Sequence, residues 1–594
     1  MSAFHFLKSL AVLFVIMVMS GCATYGDGLN KAITEFQQGH FDKAESALQQ
    51  ALKPEGNDRL LYHLELAVIK HLQNDFAASN ALLDQAERIA DELETILLSD
   101  TLSVLMSNPR QGPYGGADFE RLHINYYKAL NFFGLAMQAE SRNAYLDALE
   151  GARIESRRLI IRLNDMRTRK GTYQEQADKD AQTFTQLLKI FEKLQGNLID
   201  MDQLQYRDDA MAHYLTGISF EKNGEYNDAR ISYQNAATTY EQGFVKQYRL
   251  DEAMIEQSWF DTIRMMRKDG GYNGEWQRLA RQKLSPERRQ ELDQWMTGAQ
   301  VIVLEHKGMA PHRKEMNLEL SVNPDRQTLQ LRPYFHGNDI NQLAWFYVLY
   351  ADKDLFDAIT HYLDATVVGF VFNSFTKTVN LGPLWSVAED LGAIRAIGGS
   401  LRVTVPYYDP VPPLGDSVLF VNGQQRPMLL ASNPAQMALQ EQIVRSGYHI
   451  QMALARSTLK AISADLVAQQ AGGGLWSIAA SLAMQLTDAA ETRNWLLLPQ
   501  DIRIQRIWLE PGNHQLTLQS TLAKSQSQQA STDVSVNEGD IHFWRVRSVA
   551  PSGKTTHNTP LLDAPANLPE ATESNDDTTN EARRPSKKRA ATPL

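Results

Sequence analysis

Apolar residues in the first half of the chain recur three and four positions apart, in paired blocks, which predicts antiparallel helices joined by short turns. The stretch NKAITEFQQGHFDKAESALQQALKP carries Gly39, Phe41, Ala44, Leu48, Ala51 and Pro54. YHLELAVIKHLQNDFAASNALLDQAERI puts Asn74, Phe76, Ser79, Leu83 and Ala86 at matching offsets. YLTGISFEKNGEYNDARISYQNAATTY repeats the plan with Gly217, Phe220, Gly224, Tyr226, Ala229, Tyr233 and Ala236. Gly217 and Ala229 keep side chains small where the two helices touch, and Gly224 permits the turn between them. Gly39, Ala44, Ala51 and Ala236 hold the corresponding packing positions. A further pair is predicted over 119–163, with Tyr126, Tyr127, Ala129, Phe132, Phe133, Ala144, Tyr145 and Ala148, after the loop NPRQGPYGGADFE. A polar helical stretch covers 174–197.

At about Gly298 the period changes from helical to two. VIVLEHKGMAPHRKEMNLELSV, TLQLRPYF and LRVTVPYYDPVPP alternate β-branched and polar residues and read as strands. SVLFVNGQQRPMLLA sets Asn422-Gly423 between apolar runs, a hairpin signal, because both residues tolerate positive φ. Asn433-Pro434 opens a long helix to about Gln470 with Asn433 as N-cap. LWSIAASLAMQL follows a glycine triplet as a second apolar helix, read as buried against the first. IRIQRIWLEPGNHQLTL reads as a hairpin turning at Pro511-Gly512-Asn513, and DVSVNEGDIHFWRVRSV as further strand. Beyond it, low hydrophobicity with abundant Thr, Ser, Pro and charge predicts a disordered tail over 549–594, its ARRPSKKRA run a solvated one.

The repeating offsets resemble the tetratricopeptide repeat. The fold class is therefore a multidomain α+β chain. It comprises a helical-repeat solenoid at 22–297, a mixed α/β module at 298–548 and the tail. Stacks of this kind expose a concave face whose commonest use is binding a peptide or protein segment.

The N-terminus, MSAFHFLKSLAVLFVIMVMSGC, has Lys8 ahead of an apolar run that suits a signal peptide and is too short for a stable span. Its end, Met19-Ser20-Gly21-Cys22, resembles the lipobox of bacterial lipoproteins, with apolar Met19 where that pattern usually has Leu. The resemblance implies cleavage between Gly21 and Cys22, removing 1–21. Diacylglycerol would then sit on the Cys22 thiol and an acyl chain on its amine. Ala23 in place of Asp implies sorting to the outer membrane, with the protein on the periplasmic side. Cys22 is the only cysteine, so no disulfide can form. Acyl chains at about 0.8 kcal/mol per buried methylene make such an anchor effectively permanent. The later apolar stretch 365–375 is too short to cross a bilayer.

A second resemblance covers most of the chain to about residue 520. It is carried by Tyr126-Tyr127-Lys128-Ala129-Leu130-Asn131, Gly308-Met309-Ala310-Pro311, Ala455-Arg456 with Lys460, Thr492-Arg493-Asn494-Trp495 with Leu498-Pro499, and Pro511-Gly512 with His514. Together these resemble a little-characterised family of large bacterial outer-membrane lipoproteins with tetratricopeptide-like N-terminal halves. The implied neighbourhood is the envelope lipoproteins that activate peptidoglycan synthases. The segment from about 338 to 399 fits that pattern less well.

Chemistry is sparse. A net charge of −11 makes the chain a poor general binder of nucleic acid or anionic lipid. There is no His-Glu-x-x-His; Glu305, His306, His312 and Glu315 cluster, but Gly308 and Pro311 break any helix that would align them, so they read as a polar loop between strands. Gly553-Lys554-Thr555 lacks the first glycine of a phosphate loop, and Gly398-Gly399-Ser400 lacks the last glycine of a nucleophile elbow. The aromatics of AWFYVLYADKD read as core rather than a ligand cage. Arg456 and Lys460, one turn apart, and Arg493 near Asp488 read as solvated or paired surface charges. The expectation is a non-enzymatic, lipid-anchored scaffold without metal or cofactor beyond its own acyl chains. It would bind other envelope proteins through its repeats and take neither nucleic acid nor a small-molecule ligand. The rival is a glycan- or lipid-binding carrier or enzyme with its site in the C-terminal half.

Overall fold

The computed structural model describes residues 28–99, 109–168, 182–194, 209–334, 340–350, 376–470, 489–522 and 526–549. Gly21 and Cys22, the apolar stretch 365–375, the helix expected at 475–486 and the tail from 550 lie outside these residues.

The N-terminal region is helical: α1 (Asn30–Gln37), α2 (Phe41–Ala51), α3 (Arg59–Leu72), α4 (Phe76–Ser99), α5 (Asp118–Met137), α6 (Arg142–Thr168), α7 (Gln182–Glu192), α8 (Ala210–Lys222), α9 (Tyr226–Thr239), α10 (Val245–Tyr248), α11 (Ala253–Asp269), α12 (Glu275–Lys283) and α13 (Pro286–Gln294). From α1 to α6 each helix packs on the next; α6 then packs on α8, α8 on α9 and α9 on α11. Three of the turns are built alike. Gly39, Asn74 and Gly224, all at one repeat offset, have φ of 75°, 63° and 75°. The residue after each donates its amide five residues back, His40 to Glu35, Asp75 to Lys70 and Glu225 to Phe220, at 2.9, 3.0 and 2.9 Å. That bond satisfies a carbonyl the helix end would otherwise strand.

Close helix contact rests on missing side chains. A Cβ on Gly134 would meet the Phe76 ring at 2.5 Å, and one on Gly217 would meet the Tyr233 ring at 2.6 Å. Ala44, Ala229 and Ala236 are fully buried. Ala51, assigned a packing role from its offset, is instead exposed, because it is the last residue of α2 and the chain leaves the array there.

The C-terminal region is mixed: β1 (Ala299–Lys307), β2 (Arg313–Asn323), β3 (Thr328–Pro333), α14 (Ile340–Tyr350), β4 (Lys377–Asn380), α15 (Leu384–Asp390), α16 (Ala393–Ile397), β5 (Leu401–Tyr408), β6 (Ser417–Val421), β7 (Gln424–Pro427), β8 (Leu429–Ser432), α17 (Pro434–Gln470), β9 (Asp501–Leu509), β10 (Gly512–Thr521), β11 (Ser527–Val536) and β12 (Ile541–Ser548). They form three four-stranded sheets, ordered β12-β1-β9-β8, β11-β10-β6-β7 and β4-β3-β2-β5. β1 is parallel to β12 and antiparallel to β9. Asn422 and Gly423 turn β6 into β7 with φ of 49° and 86°. Asn433 caps α17 by accepting the Gln436 amide at 3.0 Å.

The first sheet is a middle layer. Ala299, Val301 and Val303 of β1 share a core with Leu419, Leu516, Leu518 and Val534 of the second sheet. Ile302 and Leu304, on the other face, join a core that runs from Leu29 through the helices to Val549. All nine residues of β1 are therefore buried, which a strand achieves only when both faces are covered. Glu305 and His306 belong to this strand, so the expected polar loop is corrected: the alternation ran into the buried layer and only 308–312 is loop. The Pro511-Gly512 turn is also not a hairpin. β9 pairs with β1 and β8, whereas β10 pairs with β11 and β6. The turn, with Gly512 at φ 142°, carries the chain from the middle sheet to the outer one. Trp345 of α14 is fully buried with its ring 6.4 Å from Tyr407, a core aromatic.

Gly217→Val should lower stability by about 1–3 kcal/mol, because the Tyr233 ring has no free space to move into. Urea denaturation read by circular dichroism measures it; an unchanged midpoint would mean that α8 and α9 are not locked this closely.

Candidate functional site

The first helix of each pair lies against the mixed region, and α8 shows the consequence: every residue from Ala210 to Glu221 is buried. One side of α8 packs on α9 and another meets β8. A helix enclosed in this way must find partners for its polar side chains inside the protein. It does so, as do α3, α5 and α11, partly among the helices themselves and partly on the C-terminal half.

The central feature is the irregular segment 489–500, in which every residue from Thr492 to Gln500 is buried and the chain turns at 496–497. Its main chain is not in a sheet. Leu496 and Leu497 donate their amides to the two carboxylate oxygens of Glu65 on α3, at 2.7 and 3.0 Å. Trp495 donates to Glu120 on α5 at 2.7 Å. Glu120 also accepts from the Tyr114 hydroxyl at 2.5 Å and the Ala117 amide at 2.9 Å. From the far side, Ala310 donates to the Leu498 carbonyl at 2.7 Å, and the Asn494 side chain donates to the Pro311 carbonyl at 2.9 Å. Burial pushes the Glu120 carboxyl upward, against the amides and hydroxyl that favour its charged form.

Arg493 holds the start of this segment. It is 3% exposed, which corrects the surface reading. Its guanidinium donates to Asp58 at 2.9 Å and to the carbonyls of Pro109 and Gly112 at 2.8 and 2.9 Å. It also pairs with Glu491 at 2.6 Å and lies 5.5 Å from the Tyr114 ring centre. Five donors on one planar cation suit a junction of loops, each with carbonyls to satisfy. Arg456 is buried as well, on α17, because that helix packs on β5.

A second junction joins α8, α11 and β9. Arg506 of β9 donates to Glu221 at 2.6 Å, to the Tyr233 hydroxyl at 2.9 Å and to Gln300 at 2.7 Å. Arg264 of α11 pairs with Glu221 and with Asp261 at 2.8 Å, and Tyr214 donates to Asp261 at 2.5 Å. The two guanidiniums and two carboxylates are all essentially unexposed. Burial would push the Glu221 carboxyl up, but Arg264 and Arg506 hold it well below the usual range.

Three histidines lie behind the segment. The Tyr126 hydroxyl and His306 Nε2 are 2.8 Å apart, His71 Nδ1 is 2.6 Å from the Asn131 side-chain oxygen, and the His71 and His306 rings are 6.4 Å apart. Burial first, then nearby Arg545 and Arg547, lower His71 to about 3. His123 is lowered to about 4, and His306 falls well below its ordinary value. These are neutral core imidazoles. The expected cluster is dispersed: Glu305 accepts from Ser520 of the outer sheet, His306 faces the helices, and Glu315 pairs with Arg402 at 3.1 Å. Among the described residues no group of three or more His, Cys, Asp or Glu is arranged to hold a metal ion. None of their helices is long and apolar enough to cross a membrane.

Several residues singled out in the sequence therefore converge: Tyr126, Tyr127 and Asn131 on α5, 308–311 after β1, and 492–499. Sequence reading missed Glu65, Glu120, Glu221 and Arg506. A carboxylate on an apolar helix face, such as Glu65 within LLYHLELAVIK, was the available signal. No protein-family model matches the chain, and no curated protein matches it significantly.

Removing one member of the α8–α11–β9 junction strands a buried charge. Arg506→Met should cost about 3–5 kcal/mol. Combined with Glu221→Gln it should cost at least about 1 kcal/mol less than the sum of the single changes. Strict additivity in denaturation would show that the groups do not act together.

Acid should unfold the protein early. His71, His123, His306 and His449 all have folded-state values below the 6.5 of an unfolded imidazole. The unfolded chain then binds more protons, so stability is full above about pH 6.5 and falls by up to about 1.4 kcal/mol per unit per histidine below it. Asp501, raised to about 6, offsets part of this, as do Glu120 and Glu441, which burial also raises. The urea midpoint should drop steeply from pH 7 to 5; a flat profile would contradict neutral buried imidazoles.

Proposed function

We propose that this protein is a lipid-anchored cell-envelope scaffold, tethered to the periplasmic side of the outer membrane through acylated Cys22, which organises another envelope protein. In this reading the helix pairs form a tetratricopeptide-like solenoid and the chain is not an enzyme. One observation carries the proposal. Carboxylates on the first helices of successive pairs, Glu65 and Glu120, grip the main-chain amides of a buried non-helical segment. Reading a peptide backbone from a stack of helices is a way to bind protein segments. Here that face is occupied by the chain's own residues 489–500, which bond the two halves to each other.

A partner protein is then met on other surfaces. The outward side of α6 presents Leu146, Ile154 and Ile161, spaced eight and seven residues apart and 48%, 41% and 59% exposed. Sites for a photocrosslinking residue are available there and, as an inner control, at Leu497.

In cells, crosslinker at 146, 154 or 161 should capture a protein partner, whereas crosslinker at 497 should give only intramolecular products. Cys22→Ser should abolish palmitate labelling and release the protein from the membrane. Failure to capture any protein from anywhere on the surface, with a glycan or lipid copurifying with the C-terminal half, would replace the scaffold with a carrier.

A further inference from the structure

α6 turns two faces in different directions. Ala148, Leu149, Ala152, Leu159 and Leu163 are buried where it packs on α5 and α8. The opposite face carries three of the seven large apolar side chains that the described residues leave exposed, Leu146, Ile154 and Ile161. At about 100° per residue, Asp147 and Ile161 fall within about 20° of Ile154 around the helix, and Glu150, Arg157 and Arg158 within about 60°. Apolar and charged residues therefore share one outward stripe.

The charges on that stripe are sorted along it. Asp147 and Glu150 precede Ile154, and Arg157 and Arg158 follow it. Their bonds within the chain leave them reachable: the Glu150, Arg157 and Arg158 side chains are 44%, 49% and 53% exposed. Arg157 comes no closer than 3.6 Å to Glu225 and 4.0 Å to Asp228. An acidic end, an apolar centre and a basic end make a pattern that is complementary to itself when reversed. Laid parallel on its own copy, the stripe would set arginines against arginines; laid antiparallel, it sets them against the acids.

We propose that this face docks a second copy of the chain, α6 against α6, antiparallel about a two-fold axis at Ile154. Ile154 then meets its own equivalent, Glu150 comes opposite the partner's Arg158, and Asp147 opposite the partner's Ile161. Asp165, further along the stripe, comes opposite the partner's Asn143, so no like charges meet. The contact is isologous and closes at two chains. This deepens the scaffold reading, since it rests on the outward side of α6 as a docking face and names the occupant. A dimer would present every other surface of the scaffold twice, which strengthens its hold on a partner that repeats.

The test uses the whole mature chain bearing Cys22→Ser, so that no acyl chain drives association. Sedimentation over a range of concentrations should show monomer and dimer without larger species, with the dimer weakened by salt. Ile154→Glu should weaken it at least about tenfold. Glu150→Arg and Arg158→Glu should each do the same alone, yet form a mixed dimer when combined in equal amounts, because both charge pairs are then restored. All three positions are exposed, and thermal melts read by circular dichroism confirm that the variants fold. In cells, a crosslinker at 154 should join two copies of the chain. A chain that stays monomeric at hundreds of micromolar, a dimer untouched by Ile154→Glu, or charge variants that do not recover on mixing would overturn the proposal. A monomer that still captures a different envelope protein overturns the dimer and leaves the scaffold standing; a dimer with no captured envelope protein does the reverse.

Discussion

The bonds from Glu65 and Glu120 to the amides of Trp495, Leu496 and Leu497 are the constraint on which the rest of the structure depends. An irregular segment buried outside any helix or sheet has amides that neither water nor a neighbouring strand can satisfy, and each unpaired one costs about as much as a lost hydrogen bond. Carboxylates are the strongest acceptors available for them. Placing those carboxylates on α3 and α5 ties the position of the segment to the stacking of the helices. The segment in turn fixes 308–311, through the Leu498 and Pro311 carbonyls, and so the exit of β1. Helices, middle sheet and segment are thus mutually dependent.

This dependence explains which parts of the fold could be read locally. Gly39, Asn74 and Gly224 share an offset and a left-handed turn, because a helix end demands such a residue whatever lies elsewhere. Asn422-Gly423 and Asn433 were legible for the same reason: turn and cap chemistry is decided within four residues. The onset of strands near 298 was visible in the period of the sequence, and β1 begins at Ala299.

What was not legible depends on partners hundreds of residues away. Arg493 looks like a surface charge until Asp58, Pro109 and Gly112 come to meet it. Glu305 and His306 look like loop residues because polar side chains interrupt an apolar strand. Their acceptability in a buried layer comes from Ser520 on one side and Tyr126 on the other. Pro511-Gly512 carries a turn signal that is real, but a turn does not say whether the strands it joins will pair. β9 is committed to β1 and β8, so β10 finds its neighbours in the outer sheet.

The buried charges sort into kinds with different meanings. Glu221, Asp261, Arg264 and Arg506 balance one another, and their net contribution to stability over an apolar core of the same shape is small. Their geometry, however, admits only one register of β9 against α8 and α11, since moving the strand by one residue would turn Arg506 to the other face. Glu65 and Glu120 accept main-chain amides of the buried segment, so they read the path of its backbone, and Arg493 meets the carbonyls of Pro109 and Gly112 beside the carboxylates of Asp58 and Glu491. Arg545 and Arg547 belong to neither kind. Their guanidiniums sit over the rings of Phe76 and Phe36, and ring faces compensate a cation by about 2 kcal/mol at most sites of this sort, less than full burial costs it. Balanced charge fixes the register and carboxylate–amide bonds fix the path, whereas at each of these two arginines the chain's own described groups leave an electrostatic debt.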